Sequence, residues 1–187
     1  MPPETSQSNR TNVTAHCIEF FRKSNTTHIN DYNNQNLIFS IPELEMQNLA
    51  TKMYANAKLI EGFQILLDDN EAHSCVVDLA PDLGTGLGPS SLELCVMSHA
   101  GCYVTICVLT AKKMRLMLKG VWVKVEAVES DKTGTVNEET FDINIKADAP
   151  QDRVERLHKL TLENCSVGIL FEKAGVKVDY KLNVTKE

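Results

Sequence analysis

The sequence predicts an α+β fold, and three observations carry that reading. Short alternating segments crowd residues 50–78, a breaker-poor apolar stretch of helical length follows a glycine- and proline-rich loop, and the second half returns to alternation interrupted by one amphipathic helix. The 187 residues, 43% hydrophobic and 24% charged, suit one folded unit with a tail. A chain of this size buries about 70% of its extended surface, enough for a core without disulfide or metal staples.

Residues 1–40 are rich in Asn, Thr and Ser and read as an N-terminal extension, leaving 41–187 as a single domain. Within the extension, His16, Cys17, Ile18, Phe20 and Phe21 form a patch suited to docking on the body or on a partner. Three strands follow, Ala50 to Ile60, Phe63 to Asp68 and Ala72 to Asp78, with Glu61-Gly62 and Asp69-Asn70 as turns, giving a small antiparallel sheet. Pro81, Gly84, Gly86, Gly88 and Pro89 make Asp78 to Ser90 a loop. Its glycines match neither the dinucleotide fingerprint nor the phosphate loop, which ends in G-K-S/T.

Pro89 suits a first helical position, Ser90 and Ser91 can satisfy early amides, and Leu92 to Lys119 predicts one long helix ended by Gly120. Leu94 to Leu109 holds no Asp, Glu, Lys or Arg, so this helix is expected to be buried on nearly all sides. At about 16 residues the apolar stretch is too short to span a bilayer. Val121, Val123 and Val125, then Phe141, Ile143 and Ile145, alternate with polar residues as two strands joined at Asp131 to Gly134. Pro150 opens a second helix with Val154, Leu157, Leu160 and Thr161 on one face, and Val176 to Val184 alternates as a closing strand.

Composition narrows the function. A net charge of −6 disfavours nucleic acid and anionic membranes as partners. The opening residues lack the basic start and apolar block of a signal peptide, so a cytoplasmic location is expected. Six cysteines, at 17, 75, 95, 102, 107 and 165, show no C-x-x-C pair and no disulfide-scaffold density. No cofactor and no metal is called for.

Cys95, His99 and Cys102 fall at spacings of four and three, so one helix stripe carries two thiols and an imidazole. An imidazolium beside a thiol favours the thiolate, the nucleophilic form. The same three residues could equally pack inertly in a core, or bind zinc with Cys165 as a fourth ligand. Glu138 and Glu139 read as a solvated turn, His73 and His158 as surface residues, Cys75 and Cys107 as core thiols, and Trp122 as a packing or dimer residue.

The run Gly84-Thr85-Gly86-Leu87-Gly88-Pro89, followed by S-S-L-E-L-C-V-M-S-H-A-G-C and, much later, by Glu163-Asn164-Cys165-Ser166-Val167, resembles the OsmC/Ohr family over roughly residues 47–185. The resemblance implies an intertwined α+β homodimer with cysteine sites at the subunit interface. It also implies an organic hydroperoxide as substrate, with Cys102 attacking the peroxide, Cys165 resolving the sulfenic acid as a disulfide, and a dithiol as reductant. Its alternative is a divergent redox-sensing or small-molecule-binding dimer. In the family a Glu ten positions before the first Cys pairs with an Arg from the N-terminal sheet. Here position 92 is Leu, Glu93 follows one later, and the arginines stand at 10, 22, 115, 153 and 156, outside the early sheet. Cys102, Cys165, Glu93 and His99 are the expected catalytic set, with Lys52, Lys58 or His99 standing in for the missing cation.

Overall fold

The computed structural model describes residues 52–186. The expected extension over 1–40, its His16 to Phe21 patch and the expected domain start at 41 lie outside the described residues.

β1 (Asn56–Glu61), β2 (Gln64–Asp68) and β3 (Ser74–Val77) form the anticipated antiparallel sheet, in the order β1-β2-β3. Gly62 (φ +53°) and Asn70 (φ +63°) take the left-handed conformation at the two turns, where glycine and asparagine bear it most readily. β1 begins at Asn56, later than the Ala50 start read from the sequence.

The loop after β3 is wrapped around one carboxylate. Asp78, buried, accepts from the amides of Leu79, Thr85 and Leu87 and from the Thr85 hydroxyl. Those bonds give the buried carboxylate its partners and tie the loop around it.

α1 (Ser91–Lys113) starts on a capping box: Ser90 Oγ accepts from the Glu93 amide, and the Glu93 side chain accepts from the Ser90 amide. Pro89 therefore lies outside the helix rather than at its first position. The helix also ends six residues before the expected Lys119. Its cap is Met114, Arg115 turns the chain at φ +52°, and the Arg153 guanidinium donates to the Met114 carbonyl at 2.7 Å. Gly120, expected as the terminator, belongs to the next strand, whose alternation captures it.

β4 (Leu118–Glu129) pairs antiparallel with β5 (Val136–Ala147), and β6 (Lys177–Thr185) runs parallel to β5 on its other side. A parallel neighbour requires a crossover. Two helices supply it, α2 (Gln151–Asn164) and α3 (Ser166–Lys173), where one had been expected. Phe141, Ile143, Ile145 and Ala147 of central β5 are fully buried with Val154 and Leu157 of α2.

α1 is not buried on nearly all sides. Within one chain only His99, Tyr103, Cys107 and Ala111, one stripe at spacings of four, are buried, while Met97 and Leu109 are 56% and 48% exposed. Its 23 residues are also apolar and long enough, by length and composition, to cross a membrane, contrary to the expectation. The helix extends beyond the Leu94–Leu109 segment counted from the sequence, by three residues before it and four after. In the fold, polar groups of its buried stripe bond to β5 and α2.

Candidate active site

Cys165 occupies the break between α2 and α3. Its backbone is extended (φ −75°, ψ 98°), so it both closes one helix and caps the next, its sulfur accepting from the Gly168 amide at 3.4 Å. Ser166 begins α3 at this junction. The thiol is 2% exposed. Burial pushes its pKa up to about 11, contact with Cys102 adds to the rise, and the helix-end amides of Gly168 and Val167 oppose it. Cys102, half-buried on α1, thus meets Cys165 thiol to thiol despite their distance along the chain.

One turn before Cys102, the fully buried His99 projects Nδ1 to 2.7 Å from Glu139 Oε2 on β5. The carboxylate only accepts, so with Glu139 ionised the imidazole carries its proton on Nδ1 and keeps a lone pair on Nε2. The ring is held edge-on to Phe141, centroids 4.6 Å apart, and against Phe171 of α3 at 4.9 Å. Nε2 and Glu139 Oε1 are both buried without a hydrogen-bond partner.

Gly168 shows where Nε2 points. A Cβ built there would lie 2.9 Å from His99 Nε2 and 3.4 Å from Cys165 Sγ, so nitrogen and sulfur flank the same small space. Any side chain at 168 would fill it. On the outer side, a cleft of about 440 Å³ reaches Gly168 and is lined by Leu162, Ile169, Glu172 and Tyr180 among others.

A second polar pair lies behind the first. The Tyr103 hydroxyl and His158 Nδ1 are 2.7 Å apart, and Tyr180 packs on both Phe141 and His158. Burial raises Tyr103 above the ordinary phenol range and Tyr180 to about 12, so both hydroxyls stay protonated, while burial lowers His158 and favours its neutral, accepting form. His158 is half-buried rather than a surface residue.

Of the expected catalytic set, Cys102, Cys165 and His99 come together and Glu93 does not: it is exposed at the helix start and engaged with Ser90. Lys52 and Lys58 are exposed, the latter on β1. Cys107 is a core thiol, which burial pushes up to about 11. Cys75 is exposed instead, on the edge strand β3. Cys95, exposed, does not join the zinc set considered from sequence; among the described residues the one close group of such ligand atoms is Asp69, Glu71 and His73.

The largest correction concerns Glu139. It lies inside β5 rather than in a solvated turn, and it is 2% exposed. Its signal was parity: 139 shares the pleat face of 141, 143 and 145, the apolar side of its strand. Gly168 had no comparable signal beyond its place three residues after Cys165.

The profile of the family described as OsmC-like protein matches residues 84–181, just over half of the chain. No curated protein matches the sequence. Among solved structures, an OsmC-like protein from Mycoplasma pneumoniae superposes with a TM-score of 0.67 at 14% identity, over 73% of this chain and 99% of that one. An organic hydroperoxide resistance protein OsmC from Legionella pneumophila gives 0.54 at 16% identity, over 73% and 98%. The organic hydroperoxide resistance protein OhrB of Bacillus subtilis gives 0.51 at 14%, over 72% and 98%. These likenesses establish the shared α+β fold, and the profile match over the glycine loop, α1, the β4–β5 pair and the Cys165 junction shows that the chain belongs to the OsmC-like protein family.

Proposed function

We propose that the protein reduces organic hydroperoxides through a Cys102/Cys165 redox pair, as a homodimer in a reducing compartment such as the cytoplasm. The observation that carries this reading is the direct contact of the two thiols across the α1 and α2–α3 elements. Cys102, the more accessible of the two, attacks the terminal peroxide oxygen; the O–O bond breaks, an alcohol leaves and Cys102 becomes a sulfenic acid. Cys165 then attacks that sulfur, expelling water and closing a disulfide that an external dithiol reduces. Support also comes from two fold relatives that carry the name organic hydroperoxide resistance protein. The dimer is supported by the apolar residues that α1 and β4 leave exposed in one chain, Met97, Leu109 and Trp122 among them.

A second reading, a redox-sensing or small-molecule-binding dimer, is favoured by one observation: Glu93 is engaged in a helix cap and β1 to β3 carry no arginine. Turnover of cumene hydroperoxide with dithiothreitol separates the two. The peroxidase reading expects turnover that Cys102→Ser abolishes and Cys165→Ser diverts to overoxidation. Absent turnover in the unaltered protein overturns it in favour of the second reading.

A further inference from the structure

The peroxidase sequence leaves one proton unassigned. Cys165 must lose its proton to attack the sulfenic acid, yet its thiol is enclosed and burial opposes ionisation. A base is needed at the sulfur, inside the protein. The only described imidazole nitrogen that is buried and unpartnered is His99 Nε2, and it faces the same space at Gly168 as Cys165 Sγ.

We infer that His99 accepts the Cys165 proton in the disulfide-forming step, and that Glu139 is the positioning residue that fixes the tautomer. This rests on the peroxidase reading above. Nε2 takes the proton as the Cys165 sulfur bonds to the Cys102 sulfur. The S–O bond breaks, its electron pair leaves with the hydroxyl, and the proton returned from Nε2 converts it to water. Cys102 sulfur is reduced, Cys165 sulfur is oxidised, and the imidazole ends neutral. The Glu139 carboxylate faces Nδ1 and offsets the positive charge that the ring carries between those transfers. Oε1, without a partner, leaves that carboxylate free to respond to the charge. Phe141 and Phe171 hold the ring plane, and Gly168 keeps the path between nitrogen and sulfur open.

The titratable groups around this step are Cys102 and Tyr103 on α1, Glu139 on β5, His158 on α2, Glu172 on α3 and Tyr180 on β6. In the sulfenic acid state Cys102 is no longer a thiol, and burial keeps both tyrosines protonated through neutral pH. The rate of disulfide closure therefore reports the base.

The test is a single turnover with one equivalent of cumene hydroperoxide, following Cys102 sulfenic acid by dimedone tagging and the 102–165 disulfide by peptide mass. Glu139→Gln keeps an acceptor for Nδ1–H, and His99→Gln/Glu139→Gln avoids a lone buried carboxylate if His99→Gln alone does not fold. The inference expects sulfenic acid to form within about twofold of the unaltered rate, while closure at pH 7 slows at least about tenfold and recovers about tenfold per pH unit as hydroxide replaces the base. Closure at the unaltered rate in the folded double variant overturns it, as does slowing confined to sulfenic acid formation. Absence of any sulfenic acid or disulfide in the unaltered protein would instead overturn the peroxidase reading, and this inference with it.

Discussion

The molecule holds two histidine–carboxylate pairs of nearly the same length and opposite surroundings. His99 and Glu139 meet at 2.7 Å with side chains 1% and 0% exposed, whereas His73 and Asp69 meet at 2.6 Å with 81% and 38% exposed. In the turn before β3, water solvates both groups, and the pair chiefly shapes a turn. Between α1 and β5 each group has given up its hydration, so each depends on the other, and the ring nitrogen left over borders the same space at Gly168 as a sulfur. Distance alone does not separate a site from a surface pair. Desolvation and the direction of the free lone pair do.

Breaking the two pairs should give the widest contrast. Glu139→Ala strands a buried imidazole and is expected to cost about 3–5 kcal/mol in urea denaturation, whereas Asp69→Ala, which gives up an exposed pair and two turn hydrogen bonds, should cost about 1 kcal/mol or less; equal losses would dissolve the distinction. Two glycines sharpen it next. Gly168→Ala drives a methyl to 2.9 Å from His99 Nε2 and should destabilise by about 1–3 kcal/mol while slowing disulfide closure. Gly120→Ala, with open space around its Cβ in β4, should do neither.

Tyr103→Phe removes the hydroxyl that bonds His158 and should cost about 1 kcal/mol. The same histidine sets a pH dependence. Burial lowers its pKa in the folded state below the unfolded value, so the unfolded chain binds the proton more readily. Stability is full above the ordinary histidine range, near 6.5, and falls as the pH drops through it. His158→Gln should flatten that decline in denaturation midpoints followed from pH 7.5 to 5; an undiminished slope would assign it elsewhere. The smallest effect belongs to Glu93→Ala, which opens the capping box and should cost about 0.5–1 kcal/mol.

Much of this was legible in the residues. Alternation gave the strands, including the odd-numbered face of β5, because a pleated strand half in a core writes its period into the sequence. The glycine loop located the start of α1, and the spacing of three placed His99 and Cys102 on one side of it, whereas Cys95 stays exposed. Less legible was anything depending on a partner far along the chain. Glu139 looked like a turn because its neighbour Glu138 is polar; parity places it on the buried face, but the partner that accompanies it there, His99, lies far along the chain. The end of α1 was missed because Lys119 and Gly120 mimic a helix terminus, while the actual stop depends on Arg115 in the left-handed region and on Arg153 reaching the Met114 carbonyl. Likewise His158 reads as polar surface until Tyr103 and Tyr180 enclose it.

The pairing of Cys102 with Cys165 is tested most directly by mapping disulfides after one equivalent of organic hydroperoxide is added to the fully reduced protein. The account predicts the loss of two thiols per chain and a single new cross-linked peptide joining positions 102 and 165. A cross-link through exposed Cys75 or Cys95, with 102 and 165 still reactive to a thiol reagent after unfolding, would contradict it.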